Sequence, residues 1–592
     1  MQPVDRPKFL PRKGLAHLAA QVLLMVEDEF ELRPGRIRSR GAGGARTFVG
    51  EALAAAQRAG GLHHRTPGRS SVFGRGRAPS LSASRGLGAR ARRVIVKARV
   101  VRQSPGRAPL SLHLKYLQRE GVTHDGARGR LFDAGQDLAD GETFAARGEG
   151  DRHHFRFIVS PQDAAQLADL KAFTRDLMGQ AERDLGTRLD WVAVDHWNTG
   201  QPHVHILVRG RDEQGQDLVI SRDYIAEGLR ARAAELATLE LGPRSDLEVR
   251  RGLEQQVDAD RWTDLDRRLA RDVGAEGLID MRPPAAGVVD DLHAPKVARL
   301  RRLQALGLTE EVRPGRWRVA PDAEPVLRRL GQRGDIIARM NRVLSGQGIE
   351  PDPARFVVEG DGPVMGRLVG RGLDDELKAS AYAVIEGVDG RTHHVGLQDL
   401  ADASDAAPGA LVEVREVGAR GRRILAVRSD LDLAAQVTGE GATWLDRQLV
   451  SRPASGIGQG GFAAEVETAL AARTEHLIGE GLAQRVGRRV IFARDLLETL
   501  RARDLANAAA GVAAETGLEQ LRPDDGDPVG GLYRRRLNLA SGRFAVIEGS
   551  LGFALVPWRA ELERQRGQDV AGVMTAGGAV DWTLGRQRGP QR

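Results

Sequence analysis

From Trp191 to Arg209 the chain reads Trp-Val-Ala-Val-Asp-His, a short interruption ending in Pro202, and then His-Val-His-Ile-Leu-Val-Arg. Apolar residues recur at every second position on both sides of the break, a period that belongs to β-strands, so the stretch is predicted to fold as a hairpin. Val204, Ile206 and Val208 then point to one side, into a core, and His203 and His205 to the other. Val192, Val194 and His196 share a face of the first strand by the same rule. Pairing across the Asn198–Pro202 loop sets facing positions about 5 Å apart. The spacing therefore predicts that His196, His203 and His205 converge on a divalent ion. Three neutral imidazoles leave the ion's charge undiminished, which suits an anionic substrate such as a phosphate. A lone His-x-His pair is more often a polar outer face of a strand; the third histidine across the turn changes that reading. Spacing alone names no reaction, which depends on the nucleophile.

Nucleophiles are few, because the chain has four tyrosines and no cysteine. Tyr116 stands in Leu110-Ser-Leu-His-Leu-Lys-Tyr-Leu-Gln-Arg-Glu-Gly121, where Leu110, Leu114 and Leu117 recur at helical spacing and Gly121 can end the helix. A tyrosine on an amphipathic helix is usually packing. Here Lys115 and Arg119 flank it, and a phenol with a pKa near 10 needs cations and a polarised phosphate to attack at neutral pH.

Together, Tyr116-Leu-Gln-Arg-Glu-Gly121 followed by His196 and His203-Val-His205 resemble the His-hydrophobic-His relaxases of conjugative and mobilisable plasmids, in the branch that includes the T-DNA border endonuclease. The likeness spans about residues 94 to 240, and a related full-length group of mobilisation nucleases also carries a long C-terminal region. The resemblance implies strand-specific nicking at a transfer origin, with Tyr116 as nucleophile and the 5′ phosphate left on it. Mg²⁺ or Mn²⁺ is the implied ion, with Zn²⁺ as an alternative. The implied partners are single-stranded and origin-of-transfer DNA, relaxosome accessory proteins and a type IV secretion coupling protein. Lys115, Arg119, Arg209 and Arg222 are the residues expected to contact DNA. One departure from the branch matters: its histidine cluster is compact, whereas six residues separate His196 from His203. The third ligand is therefore His196 or, from the preceding strand, His153 or His154. Asp195 is turned to the opposite face by strand alternation and receives no role. The competing readings are a non-catalytic DNA-binding mobilisation or replication accessory protein, and a water-using metal hydrolase, which would need a carboxylate base near the cluster.

The local order predicts an α/β domain: a two-layer antiparallel sheet with helices on one face and the other face free for ligand. A strand covers His153–Val159, and Ser160-Pro-Gln-Asp163 reads as a capping box opening a helix with Leu167, Leu170, Phe173 and Leu177 as its stripe. Asp217–Ile220 reads as a further strand, and Ser221 as the cap of a helix to about Leu236.

At 592 residues several domains are expected. Net charge is +8 and the pI about 10.1, in keeping with a polyanionic partner. From Arg33 to Arg107 eighteen Arg or Lys stand against one acid, Glu51, so residues 1–93 are predicted to be a basic arm, partly disordered, whose phosphate contacts release counterions. The relaxase-like domain is assigned to 94–250. Downstream, Leu303-Gln-Ala-Leu-Gly-Leu308 with Glu311–Val319 is echoed by Leu477-Ile-Gly-Glu-Gly-Leu482 with Arg485–Ile491: helix, glycine, basic hairpin. That pattern is similar to the last helix and wing of winged-helix DNA binders, or to a plain packing unit, and gives winged-helix-like domains at 251–350 and 431–525. Residues 351–430 and 526–592 read as β-rich accessory domains, the last with a basic tail, and His393-His394 as surface. Without cysteines the chain makes no demand on an oxidising compartment, and the apolar run near the start is interrupted and too short to span a bilayer. A cytoplasmic protein with no membrane insertion is expected.

Overall fold

A computed structural model describes residues 74–80, 90–103, 110–119, 122–197, 201–274, 276–283, 290–358, 360, 362–375, 377–378, 380–418, 421–451, 457–576 and 578–583. Most of the predicted basic arm, the turn residues 198–200, Gly121 and the basic tail lie outside these. The chain is mixed α/β with several largely antiparallel sheets, in two compact units that divide between Asp335 and Ile336.

In the first unit, β1 (Val94–Arg102), α1 (Leu110–Leu117), α2 (Gly141–Arg147), β2 (His153–Pro161), α3 (Leu170–Leu185), β3 (Trp191–His196), β4 (His203–Arg209) and α4 (Leu229–Leu241) build one domain. Its four strands form an antiparallel sheet in the order β1-β2-β4-β3. Alternation sorts the two faces. Val94, Val96, Phe155, Phe157, Val204, Ile206 and Val208 pack against Phe173, Leu177 and Met178 of α3 and Ala233 and Ala237 of α4. Val192, Val194 and Leu207 lie on the opposite face and are covered by Leu114 and Leu117 of α1 and Phe144 of α2. Helices thus stand on both faces, which corrects the two-layer expectation: short α1 and α2 bury the apolar β3–β4 half of the face that was expected to be free.

Two local expectations also change. β2 runs on to Pro161, with Ser160 paired to Ile95 of β1, so Ser160 caps no helix; α3 begins at Leu170 with Asp169 accepting from the Lys171 amide at 2.8 Å. Asp217–Ile220 makes only isolated bridges, Arg211 to Asp217 and Arg75 to Ile220, so it is no strand. Ser221 does take the Tyr224 amide at 3.2 Å, and after a wide turn at Tyr224–Gly228 the helix runs to Leu241.

The remainder comprises α5 (Asp246–Asp258), α6 (Asp264–Arg271), β5 (Ile279–Asp280), α7 (His293–Ala305), β6 (Thr309–Arg313), β7 (Arg316–Val319) and α8 (Ala323–Gly346), in which the unit boundary falls. In the second unit follow β8 (Phe356–Val357), β9 (Met365–Asp375), β10 (Ser380–Gly387), β11 (Thr392–Leu397), β12 (Leu411–Val417), β13 (Arg422–Ser429), α9 (Leu433–Thr438), α10 (Trp444–Val450), α11 (Phe462–Gly479), β14 (Ala483–Val486), β15 (Arg489–Phe492), α12 (Leu496–Thr516), β16 (Gln520–Leu521), β17 (Pro528–Leu539), β18 (Gly542–Glu548), β19 (Phe553–Pro557), β20 (Asp569–Met574) and β21 (Val580–Trp582). Both β-rich segments are six-stranded sheets. His394 is buried, stacked on Tyr382 and 3.2 Å from Arg339, and is not the surface residue its position beside a turn suggested. Among the described residues no helix is long and apolar enough to cross a membrane.

Candidate metal centre and its surroundings

His196 and His203 are direct cross-strand partners, and His205 faces Val194 one step along the same face. The expected convergence follows from that register. The ring centroids are 4.4 Å apart for His196 and His205, 5.0 Å for His203 and His205, and 5.5 Å for His196 and His203. One ring nitrogen from each lies within 4.8 Å of the others, and all three residues are buried, so the group can hold a metal ion. Three nitrogens sharing one ion at about 2.1 Å each lie on average at most about 3.6 Å apart, so a bound ion would draw the three rings inward from this spread.

Backbone carbonyls set the tautomers. A carbonyl oxygen only accepts, so His196 donates from Nε2 to Leu117 O at 2.8 Å and carries its lone pair on Nδ1. His203 donates from Nδ1 to Gln201 O at 3.1 Å and carries its lone pair on Nε2. Orienting a ligating imidazole through its other nitrogen is the usual way such a ring is fixed for a metal. His153 and His154 do not join the cluster. His153 Nε2 lies 2.9 Å from Leu218 O, and His154 Nε2 accepts from Arg156 Nε at 3.0 Å. Asp195 faces away, as alternation required, and its carboxylate takes the Trp197 indole N–H.

Tyr116 is half-buried on α1, one residue before the Leu117 carbonyl that holds His196. The Arg119 guanidinium lies over its ring, 4.5 Å from the centroid. Of the other expected DNA contacts, Lys115 is exposed with Nζ 3.8 Å from Glu142, and Arg222 is exposed at the start of the helical segment after Ser221. Arg209 is placed differently. It forms a two-pronged pair with Asp151 at 2.9 and 3.0 Å, which with a further bond to Asp190 at 3.0 Å raises its pKa; against the opposing effect of burial, Arg147 and then Arg209 hold the Asp190 pKa down, so the Arg209 donors already serve the fold.

Residues that the hairpin pattern did not single out share the histidine face. β2 pairs Ile158 with His205, and β1 pairs Lys97 with Ile158 and Arg99 with Arg156. Lys97, Arg99, His154 and Arg156 therefore stand on the same side of the sheet as the three histidines. That side carries no carboxylate on any of its four strands. Period-two reading of Val94–Arg102 together with the sheet order would have found them; the sequence offered the first and not the second.

The family comparison concerns the other end of the chain. A family model described as "Protein of unknown function (DUF3363)" matches residues 296–425 and 416–591, together half of the chain, and the chain belongs to that family. No curated protein and no solved structure matches it. Both matched stretches lie beyond the histidine-bearing sheet.

Proposed function

We propose that residues 94–241 form a metal-dependent relaxase, a nicking-and-rejoining enzyme for single-stranded DNA at a transfer origin, acting in the cytoplasm. The observation that carries this reading is the hydrogen bond from His196 to the Leu117 carbonyl, because it ties the histidine cluster to the helix that bears Tyr116, whose ring lies under the Arg119 guanidinium. His196, His203 and His205 would hold the ion, with Mg²⁺ or Mn²⁺ preferred for phosphate chemistry and Zn²⁺ also compatible with three imidazoles. When bound, the ion supplies positive charge to the non-bridging oxygens of the scissile phosphate. Tyr116 contributes the nucleophile: its phenol oxygen bonds to phosphorus, the bond from phosphorus to the 3′ oxygen breaks, and that oxygen leaves as a hydroxyl carrying a proton. The 5′ phosphate stays on Tyr116. An aryl phosphodiester conserves the bond energy, so the reverse step rejoins strands without ATP. Lys97, Arg99 and Arg156 line the strand's path by charge.

The test is incubation with a single-stranded oligonucleotide spanning the transfer origin of the element that carries the gene, with each metal and with chelator. A covalent adduct that needs metal and disappears in Tyr116→Phe is expected. An adduct that persists in Tyr116→Phe removes that residue from the mechanism. Tight DNA binding with no adduct under any metal favours the non-catalytic accessory reading.

A further inference from the structure

Two buried arginines, one in each unit, are held by the same set of atoms. Arg299 on α7 donates from Nε and Nη2 to Asp266 at 2.8 and 2.9 Å, and to the carbonyls of Val257, Ala259 and Arg261 at 3.0, 2.6 and 2.8 Å. Arg473 on α11 donates to Asp446 at 2.8 and 2.9 Å, and to Val437, Gly439 and Gly441 at 3.1, 2.7 and 3.3 Å. In both, the carbonyls stand nine, seven and five residues before the aspartate. The aspartate in turn closes a capping box with Thr263 or Thr443, and Gln256 or Gln436 accepts the amide of Leu265 or Leu445. Neither arginine is exposed.

The correspondence extends outward. Leu303 and Leu477 accept the amides of Leu308 and Leu482, each at 2.9 Å, across a left-handed glycine, Gly307 or Gly481. A hairpin and a long helix follow, β6–β7 with α8 and β14–β15 with α12. Trp262, Leu303, Leu308, Ala323 and Leu327 form one small core, and Ala442, Leu477, Leu482, Leu496 and Leu500 the other. Trp262 with Ala323 in the first core is replaced by Ala442 with Leu496 in the second, a smaller pair. Each long helix packs on a six-stranded sheet, through Met340 and Leu344 or through Ala509 and Val512. The sheet orders are β13-β12-β9-β10-β11-β8 and β21-β20-β17-β18-β19-β16, position for position the same, each ending in a parallel pair.

We infer that residues 246–429 and 432–582 are two copies of one module, and that the hairpin of each copy contacts the phosphate backbone of duplex DNA, so that this half of the chain binds a duplex at two points, independently of the histidine site. The hairpins carry exposed arginines in both copies, Arg313 and Arg318 in the first and Arg488 and Arg489 in the second. Arg318 has a loose pair with Glu310 at 3.5 Å, and no ion pair is seen for the other three among the described residues. A helix followed by an exposed basic hairpin is the arrangement by which winged-helix proteins reach backbone phosphates. The exposed arginines stand at different positions of the two hairpins, Arg313 and Arg318 answering to Val486 and Ile491 in the strand register, and the preceding helix has diverged as well: α7 bears four basic residues and no acid while α11 bears Glu465, Glu467 and Glu475.

The experiment measures binding of the full chain to a random-sequence duplex over a salt series, for wild type, Arg313→Ala/Arg318→Ala, Arg488→Ala/Arg489→Ala, and all four together. Each pair is expected to weaken binding about three- to ten-fold and to lower the log–log salt slope by nearly two; the fourfold variant should lose at least the product. The basic arm is present in every variant and sets a common baseline. Adduct formation on the single-stranded oligonucleotide, the readout of the proposed nicking site, should be unchanged. Wild-type duplex affinity and slope in the fourfold variant would overturn the inference, as would a loss carried wholly by one pair. A parallel fall in adduct formation would place the hairpins at the nicking site and overturn their independence.

Discussion

The sheet domain and the repeated modules both bury polar side chains, and they do so in opposite ways. In each module an arginine is surrounded by five acceptors, two from a carboxylate and three from main-chain carbonyls, so every donor is used within the fold. In the sheet domain three like rings are brought together with no carboxylate among them, two of them oriented from behind by carbonyls. A closed set of complementary partners holds structure. A convergent set of identical ligands makes a place for something the chain does not itself provide. The distinction is chemical, and burial alone would not have drawn it.

Exchanging one member of each cluster should separate the two roles most sharply. His203→Ala removes a ligand and is expected to lower adduct formation by roughly a hundred-fold or more while leaving the melting temperature of the metal-free protein within a few degrees. Arg473→Ala strands Asp446 and three carbonyls and should destabilise its module by about 3–5 kcal/mol, as should Arg299→Ala, read by chemical denaturation. Unequal losses at Arg299 and Arg473 would break the equivalence of the copies.

A smaller effect comes from His394 in the second unit. Burial chiefly, and then the Arg339 cation, push its pKa down from 6.5 to about 4, against a weaker opposite pull from Asp374. The unfolded chain therefore binds the proton more readily between those values, so stability is complete above pH 6.5 and falls as pH drops towards 4, by about 3 kcal/mol. His394→Phe should flatten that part of the pH profile of denaturation; a profile as steep as wild type would remove His394 from it. Smallest of all, Arg156→Gln should weaken binding of single-stranded DNA by about three- to ten-fold with metal affinity unchanged. A change in metal affinity alone would assign Arg156, through His154, to the fold around the histidines.

How much of this was legible in the chain depended on the range of the interactions. The His196–His203 facing followed from period-two alternation and a short turn, both local. The helix from Ser221 was likewise readable from its cap. The capping box at Ser160 was not decisive, because pairing of β2 with β1 claims that residue for the sheet, a competition invisible without knowing which strand lies alongside. Nothing in the sequence singled out Arg299 and Arg473, since a charged side chain is buried only where distant carbonyls assemble around it. The repeated hairpins were visible as an echo, but the size of the repeat emerged only from strand order, which sequence spacing does not encode.

The most direct measurement is the site of attachment. The protein is incubated with metal and a transfer-origin oligonucleotide, digested with nuclease and protease, and the adducted peptide is sequenced by mass spectrometry. The account predicts a nucleotide remnant on Tyr116, formed only with metal and absent from His205→Ala. A remnant on Tyr224, Tyr382 or Tyr533, or a metal-bound protein that nicks without any remnant, would contradict it.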